Sequence, residues 1–504
     1  MIQTLIWVLV ATLLWLLAWT RRSSNTRYAL LLLGSYVFYA SWGIGFLAVL
    51  VASSLLNYAC GLALRRKPTL GRLWVGVGLN VLLLGVFKYL PPAIASSSGF
   101  LGHIIMPVGM SFWTFQGLSY LFDLYREEEL DPALLEFCLY MAFWPTVLAG
   151  PVCRLPNLLP QFRRTPVWDR DDISIGFSRI VQGVFMKMVL AQLLGAGLTR
   201  GAGVTAGFDQ TRGGWGPLDV SLLAVGFGFQ LFFDFAGYSH MVTGVARVFG
   251  IRLEENFDRP YFSPTPSVFW TRWHMSLSFW IRDYVFLPLA AMRRDVWWPY
   301  AVFVMSMTLF GLWHAAKLTF ILWGVYHGLL LVAHRAGQKL KRRISNPWPA
   351  PVGGLLSWCA TFFLVSLGWI FFRANDAGQA AAMLRAVVTP SGYWHSVLPW
   401  ESYVVVCFVV IVYFAYHGLL AGLDAARARY SETMAREAGV FGTASATTTF
   451  GAATIVTVRV VDFFGERLWW WAAPTIAVLI VSVGAAIVRH NTAISVTPFM
   501  YTVF

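Results

Sequence analysis

A single histidine interrupts the apolar stretch Thr308-Leu309-Phe310-Gly311-Leu312-Trp313-His314-Ala315-Ala316. Apolar sequence continues on both sides, which predicts that the imidazole of His314 lies at membrane depth. Ionisable groups are expensive there and are usually retained for function. A second histidine, His274, ends the upstream stretch Phe269-Trp270-Thr271-Arg272-Trp273-His274. Because imidazoles exchange protons near pH 7, the two histidines indicate proton-transfer or nucleophilic chemistry inside a membrane.

Composition identifies a polytopic membrane protein. Hydrophobic residues make up 58% of the 504 residues and charged residues only 12%, whereas a soluble domain carries about 25% charged residues. Apolar runs long enough to span a bilayer recur along the chain, which predicts an all-α fold. These runs do not alternate apolar and polar residues, as the strands of a membrane barrel would.

Positive charge is concentrated at a few places. The formal net charge is +14, and Lys and Arg cluster in residues 21–27, 65–72 and 335–343. Short segments rich in Lys and Arg stay on the cytoplasmic side of a membrane, where they face anionic lipid. We therefore predict that the three clusters are cytoplasmic and that the charge serves the bilayer, with no nucleic-acid partner. Such a face also attracts phosphate-bearing molecules.

The chain is interpreted as one membrane-embedded domain over residues 1–504. Its first apolar run, residues 2–19, is followed by Arg21-Arg22 and no small-residue cleavage site, so we expect a retained helix. We assign residues 106–334 to a catalytic core, 335–346 to a basic cytoplasmic loop and 347–504 to C-terminal transmembrane helices.

The core differs from the rest because Gly, Pro and charged residues interrupt its apolar runs. Against lipid, Arg272, Arg282 and Asp283 would each cost about 2.5 to 3.5 kcal/mol. Broken segments at membrane depth are tolerated only when they are buried in protein or line a wet cavity. We therefore expect re-entrant or tilted helices around a central cavity.

Candidate functional side chains lie in three stretches of the core. Asp234 lies in an aromatic run, where a carboxyl group is costly unless it is paired or functional. The second stretch, residues 269–284, carries His274, with Ser278 four residues later and able to orient it if the stretch is helical. The third runs from residue 311 to 327. On a helix, the apolar face of the second stretch would comprise Trp270, Trp273, His274, Leu277 and Ile281.

Six stretches, in order, resemble the membrane-bound O-acyltransferase (MBOAT) superfamily. Within it they most resemble the bacterial branch that includes the alginate O-acetylation membrane protein and the D-alanyl transfer protein of teichoic acid modification. Two positions depart from the family pattern: Leu287-Pro288-Leu289-Ala290-Ala291 stands where Pro-Leu-Gly-Gly is expected, and Ala315-Ala316 where Gly-Ala is usual. The matching stretches are Pro107 to Phe112, Ala149 to Val152, Phe233 to Ser239, Glu255 to Phe257, Phe269 to Tyr284, and Gly311 to His327.

The resemblance implies a fold of about eleven transmembrane helices, with re-entrant or interfacial helices, around a central tunnel. The family's invariant histidine corresponds to His314 and its second functional histidine to His274. The implied activity is transfer of an acyl group, acetyl in the most similar branch, from a cytosolic thioester to an acceptor on the outer side of the bacterial inner membrane. The donor would be acetyl-CoA or an acyl-carrier thioester, with no bound cofactor and no metal.

The resemblance also implies a partner. Members of the alginate type pass acetyl to a separate periplasmic protein similar to the SGNH hydrolases, which serves the polysaccharide. This sequence contains no Gly-x-Ser-x-Gly elbow. We therefore predict a multi-protein system for O-acetylation of a secreted or cell-surface polysaccharide.

Roles for the candidate residues follow as hypotheses. His314 either deprotonates the acceptor hydroxyl or carries the acyl group itself, and His274 assists it. A carboxylate would fix a histidine tautomer, an arginine would contact donor phosphates or developing negative charge, and tryptophans would exclude water from the tunnel. The candidate carboxylates are Asp234 and Asp283, and the candidate arginines are Arg272 and Arg282. The tryptophans are Trp270, Trp273 and Trp313, and His327 is a further candidate for the substrate site.

Other interpretations stay open at this point. The histidines could merely pack inside the bundle, and the charged residues could form structural ion pairs. A transporter or flippase would also carry polar groups at broken helices, although such proteins typically show inverted repeats and we find none. An acyltransferase for a lipid, a teichoic-acid-like polymer or a protein would share the histidines but not the acceptor.

Overall fold

The computed structural model describes residues 24–90, 105–164, 169–198, 203–210, 214–341, 349–389 and 395–440. The apolar run of residues 2–19, expected as a retained helix, and residues 441–504 of the predicted C-terminal transmembrane helices lie outside this part. No strand occurs in the described residues. The helices are α1 (Ser24–Ala40), α2 (Ile44–Arg66), α3 (Leu70–Leu84), α4 (Met110–Tyr125), α5 (Leu134–Ala142), α6 (Leu155–Arg163), α7 (Arg170–Phe185), α8 (Val204–Gln210), α9 (Pro217–Val248), α10 (Pro266–Trp270), α11 (Met275–Ile281), α12 (Trp298–His314), α13 (Leu318–Lys341), α14 (Ala350–Arg373), α15 (Ala377–Val387) and α16 (Trp400–Val440). Two short helical segments, Gln192–Ala196 and Leu287–Ala291, extend the course of α7 and α11.

Seven helical segments of the described part are long and apolar enough to cross a membrane. The all-α membrane fold is therefore confirmed, while the count of about eleven spans stays a prediction. The apolar stretch of residues 28–64 is too long for one span, and it divides into α1 and α2 at a break that includes Gly43. The seven segments are Ile44–Arg66, Leu70–Tyr89, Arg170–Ala196, Pro217–Val248, Leu318–Leu340, Pro351–Arg373 and Trp400–Leu423.

Three wide π-helical turns carry charged residues into the bundle. The turn Gly85–Tyr89 continues α3, Met186–Ala191 continues α7, and Arg282–Phe286 continues α11. They contain Lys88, Lys187 and the pair Arg282-Asp283. Such turns widen a helix locally and are frequent at functional sites.

Helix α9 forms the centre of the described bundle. Of its apolar window, 89% is buried inside the protein. Glycines allow α7 to approach it closely: a Cβ built on Gly237 would lie 2.7 Å from the carbonyl oxygen of Gly183, and one on Gly244 would lie 3.0 Å from the backbone nitrogen of Ile180. Small residues permit such backbone approach in membrane bundles. The contact fixes the position of Asp234 on α9.

The stretch of residues 269–284 is not the single helix that its periodicity predicts. Helix α10 ends at Trp270, and α11 begins at Met275. His274 adopts the left-handed region, with φ 42° and ψ 54°. A loop from elsewhere in the chain sets the break, because the Met275 backbone N–H donates to the Asn256 carbonyl at 2.8 Å and the Asp258 N–H donates to the Arg272 carbonyl at 3.0 Å.

Helices α12 and α13 form a tight antiparallel hairpin with His314 at its turn. A Cβ on Gly324 would lie 2.8 Å from the Met307 carbonyl carbon. Helix α13 remains helical to Lys341, so residues 335–341 of the predicted basic loop belong to its last turns. Residues 342–348 lie outside the described part.

Contacts divide the described chain into two compact units, residues 24–403 and residues 404–440. The second unit consists of the continuation of α16. The polar segment of residues 424–439, which composition favours as an interfacial helix, is helical and continuous with the apolar part of α16.

Candidate active site

His314 is the last residue of α12 and is enclosed by aromatic rings. Only 5% of the residue is exposed. Its Nδ1 has no hydrogen-bond partner among the described residues. Its ring lies 4.7 to 5.9 Å, centroid to centroid, from those of Phe310, Trp313, Phe320, Trp323 and Phe372. An imidazole surrounded in this way is desolvated, and water reaches it poorly.

Trp313 and Trp270, two of the tryptophans predicted to exclude water from the tunnel, both pack against Phe310. The Trp270 ring lies 5.5 Å from that of Phe310, and the Trp313 ring lies 6.2 Å from it. His327 is fully buried, and its ring lies 5.2 Å from that of Trp270 and 5.0 Å from that of Trp323. Because Trp323 also contacts His314, one indole separates the two imidazoles. The structure therefore brings His314, His327, Trp270 and Trp313 together.

His274 lies at the helix break and is 3% exposed. The Phe235 ring meets it edge-on at 4.6 Å. The Ser278 hydroxyl donates to the Trp273 carbonyl at 2.9 Å, and its role in orienting the imidazole of His274 stays a prediction. The Trp273 ring packs against that of Trp369 at 4.7 Å.

The two candidate carboxylates form ion pairs with cations. Asp234 pairs with Lys187 across the α7–α9 contact. Asp283 pairs with Arg154 at 2.8 Å and with Arg282 at 2.6 Å. Burial raises the pKa of Asp283, but the hydrogen bonds from Arg282 and Arg154 outweigh burial and hold this pKa below its ordinary value. Both carboxylates thus lie in ion pairs, which is the structural alternative that the sequence left open.

The two candidate arginines differ in their surroundings. The side chain of Arg282 is 53% exposed, and its guanidinium lies 4.8 Å from the ring centroid of Phe279. Arg272 is half-buried at the helix break and forms none of the ion pairs in the described part of the chain. Arg282 thus pairs with Asp283 and lines a cavity, whereas Arg272 does neither among the described residues.

Two cavities meet at Phe279 and Arg282. The larger has a volume of about 590 Å³, and its polar lining includes Arg154, Glu128 and Asp283. The smaller, about 290 Å³, is mostly apolar and extends from Arg282 to Trp270 and Phe310. Neither cavity is lined by His314 itself, but the smaller one ends at the ring that stacks on it.

Within the described residues, no three His, Cys, Asp or Glu side chains are grouped as a metal site would require. The site presents a buried imidazole one aromatic ring away from an apolar cavity.

Sequence comparison identifies the family. Residues 7–372 match the MBOAT, membrane-bound O-acyltransferase family. The chain belongs to this family. It is thus a multi-pass membrane protein and an O-acyltransferase, and the predicted family and enzyme class are confirmed.

Several members of the family are similar over most of their length. The chain is 37% identical to the probable alginate O-acetylase of Pseudomonas putida over 386 residues, covering 72% of this chain and 76% of that protein. It is 31% identical to the peptidoglycan O-acetyltransferase of Helicobacter pylori over 399 residues, covering 72% and 74%. It is 31% identical to the teichoic acid D-alanyltransferase of Streptococcus thermophilus over 295 residues, covering 53% and 69%.

Proposed function

We propose that this O-acyltransferase takes acetyl from a cytosolic thioester and passes it across the bacterial inner membrane for O-acetylation of a polysaccharide. The names of the relatives support a polysaccharide acceptor, because alginate and peptidoglycan are both glycans. The observation that carries the proposal is a pair of cavities that share Phe279 and Arg282 in their linings, the smaller of which ends at Phe310, one aromatic ring from His314.

Both cavities lie toward the basic end of the bundle, the end that carries Arg335, and the larger one is lined by five carboxyl groups beside Arg154 and Arg282. Phe303, near the start of α12, stacks on Phe286 at 4.5 Å and also receives the Arg335 guanidinium at 5.7 Å. Arg126 also reaches this end, because its guanidinium donates to the Asp283 carbonyl at 2.8 Å. Under the positive-inside rule this end faces the cytoplasm, where thioester donors are found.

The distance from that end to His314 is nearly a membrane thickness. Helix α12 has 17 residues and is therefore about 25 Å long, while the hydrocarbon core is about 30 Å thick. A donor bound at the basic end would extend its acyl arm inward, and an acceptor would approach His314 from the opposite side. The smaller, apolar cavity suits the arm of the donor.

The transfer step needs only a base and a nucleophile. As the acceptor hydroxyl attacks the thioester carbonyl, its proton moves to the imidazole of His314 and a carbon–oxygen bond forms. Collapse of the tetrahedral intermediate breaks the carbon–sulfur bond, and the thiolate leaves with that proton. In the second course, a nitrogen of His314 attacks the carbonyl, the carbon–sulfur bond breaks and the thiolate leaves. The acceptor hydroxyl then attacks the acetyl group on nitrogen, the carbon–nitrogen bond breaks, and the hydroxyl proton passes by way of the imidazole to the thiolate. The surrounding rings keep out water that would hydrolyse the thioester.

Thioester turnover by the purified protein tests the proposal. Free CoA would be measured after adding acetyl-CoA to wild type, to His314→Gln and to His334→Gln in nanodiscs. Loss of a catalytic base costs about 10³-fold, so His314→Gln should be nearly inactive, while the control His334→Gln, partly exposed on α13, should match wild type. Equal turnover by His314→Gln and wild type would reject the role of His314.

Substitution of Arg282 tests whether the donor is bound through its phosphate groups. If its guanidinium binds donor phosphate, Arg282→Met should raise the KM for acetyl-CoA about tenfold and leave the KM for acetyl-pantetheine, which lacks phosphate, unchanged. An equal rise for both substrates would mean that Arg282 supports the fold and binds no phosphate. Turnover of an acetylated carrier protein but not of acetyl-CoA would identify the carrier thioester as donor.

The acceptor and the periplasmic partner are tested in cells. Deletion of this protein, and separately of a periplasmic SGNH-type protein, should each abolish acetyl esters on the same surface polymer. Unchanged polymer acetylation after deletion of this protein would reject the polysaccharide role. Acetyl on lipid, or movement of label across vesicles without a thioester, would favour the lipid acyltransferase or the transporter instead.

A further inference from the structure

Lys88 is a buried cation at the end of the helix that carries His314. It lies in the π-helical turn Gly85–Tyr89 and is 8% exposed. Its Nζ donates to the Trp313 carbonyl and to the Ser111 hydroxyl, the latter at 3.3 Å. It also lies 4.9 Å from the ring centroid of Trp313.

The partners of Lys88 are unusual for a buried ammonium group. None of the ion pairs in the described part of the chain includes it. A cation within a membrane bundle is costly and is retained mainly where it acts. The carbonyl it binds belongs to the residue immediately before His314. Lys88 is therefore placed to hold the backbone next to His314, rather than only to fill space between helices.

The geometry explains what the cation does there. The last carbonyls of a helix have no partner within the helix and carry partial negative charge. The Lys88 ammonium group donates a hydrogen bond to the Trp313 carbonyl, and the Tyr89 hydroxyl donates to the Leu312 carbonyl at 3.1 Å. Ala315, which follows His314, is already extended, with φ −159°. The backbone immediately before His314 is thus held by Lys88 and Tyr89.

We infer that Lys88 is a positioning residue for acyl transfer, holding the last turn of α12 so that the His314 imidazole keeps its reactive orientation. This inference rests on the role of His314 in the proposed function. Lys88 acts through the Trp313 carbonyl, without touching the reacting atoms. The π-helical turn brings its side chain to that carbonyl.

Kinetics of three variants test the inference. Misplacing a catalytic group by about 1 Å costs about 100-fold in rate, so Lys88→Met should lower kcat by about that factor while the KM for the thioester changes little. Lys88→Arg, which keeps a charged donor, should recover much of the lost kcat. Tyr89→Phe removes a comparable bond one residue farther from His314 and should cost far less. Equal losses in Lys88→Met and Tyr89→Phe, or full kcat in Lys88→Met, would overturn the inference.

A second measurement does not depend on turnover. In protein labelled with ¹⁵N-histidine in nanodiscs, the His314 signals are identified by their loss in His314→Gln. Lys88→Met should shift these signals, and Tyr89→Phe should leave them nearly in place. Unshifted signals in a folded Lys88→Met variant would overturn the inference even if wild type turns over no thioester. If Lys88→Met shifts the signals but the wild type turns over no acetyl-CoA, Lys88 does position His314 and acetyl-CoA is rejected as the donor.

Discussion

The ring of Phe310 stacks on the imidazole of His314, with centroids 5.2 Å apart and planes 26° apart. The two residues lie one turn apart on α12, and Phe310 is 2% exposed. Phe310 also lines the apolar cavity. One side chain therefore separates the cavity from the histidine and supports the imidazole face, and any donor in this cavity must approach His314 past it.

Replacing Phe310 should impair catalysis more than its effect on packing alone predicts. Phe310→Leu keeps most of the volume but removes the flat stacking surface, so we expect kcat for thioester turnover to fall about tenfold. The matched control is Leu309→Ala, because Leu309 is 47% exposed on the same helix and should leave kcat near wild type. An unchanged kcat in Phe310→Leu would show that stacking does not orient His314.

His274 combines a backbone requirement with a side-chain one, and substitutions can separate them. Asn tolerates the left-handed region better than most residues, whereas a β-branched residue is strained there. We expect His274→Asn to keep the stability of wild type and His274→Val to lose about 1 to 3 kcal/mol, measured by thermal unfolding in detergent. If the imidazole takes part in transfer, both variants lose thioester turnover. Full activity in His274→Asn would assign His274 to the backbone alone.

The sequence predicted the membrane fold and the enclosed position of His314 because both depend on local features. Long apolar runs specify helices whatever they pack against, and one imidazole within such a run is conspicuous. The break at residues 271–274 was missed because the loop containing Asn256 and Asp258 imposes it through backbone hydrogen bonds. Periodicity within a stretch carries no information about a loop that competes for its backbone groups.

Lys88 was missed for a related reason. In the sequence it stands near the end of an apolar run, where a lysine ordinarily extends toward the membrane surface. Its partner, the Trp313 carbonyl, is 225 positions away along the chain. The one local signal was a charged residue inside an otherwise apolar span, and only the fold shows that it points inward.

The Lys187–Asp234 pair should stabilise the α7–α9 contact only as a pair. Their side chains are 19% and 6% exposed, so removing one partner leaves a buried charge. We expect Lys187→Met to lower the free energy of unfolding by about 3 kcal/mol and the double variant Lys187→Met/Asp234→Leu to regain most of it. Unfolding in detergent measures both. A double variant as unstable as Lys187→Met would contradict this, and a stable but inactive one would give Asp234 a chemical role.

Glycine at position 183 allows the close approach of α7 to α9. A Cβ there would lie 2.7 Å from Cγ and 2.8 Å from the backbone nitrogen of Met241. We expect Gly183→Val to destabilise the protein by about 1 to 3 kcal/mol through overpacking. The control is Gly78→Ala on α3, where a Cβ meets nothing within 4 Å and helix propensity favours Ala by up to about 1 kcal/mol. Thermal unfolding of the two variants should therefore shift in opposite directions; a shared direction would refute the steric argument.

Low pH should reduce the free energy of unfolding, partly through Glu136, which links α5 to α6 by its ion pair with Arg163. Hydrogen bonds from Arg163 lower the pKa of Glu136 more than burial raises it, and the Ala133 backbone N–H lowers it further. The pKa is therefore below its ordinary value of 4.5 in the folded state. The stabilisation is complete above the unfolded-state pKa and is lost as the pH falls through the folded-state pKa.

Glu136→Gln should accordingly cost stability at neutral pH and none at low pH. We expect a loss of about 1.5 kcal/mol at pH 7, the low end for hydrogen bonds to charged groups, because the Arg163 side chain is 48% exposed and solvent screens the pair. Unfolding midpoints of both proteins from pH 7 to pH 3 should converge as the carboxylate of the wild type takes up its proton. A difference between the two proteins that stays constant over this range would mean that Glu136 acts by packing rather than by charge.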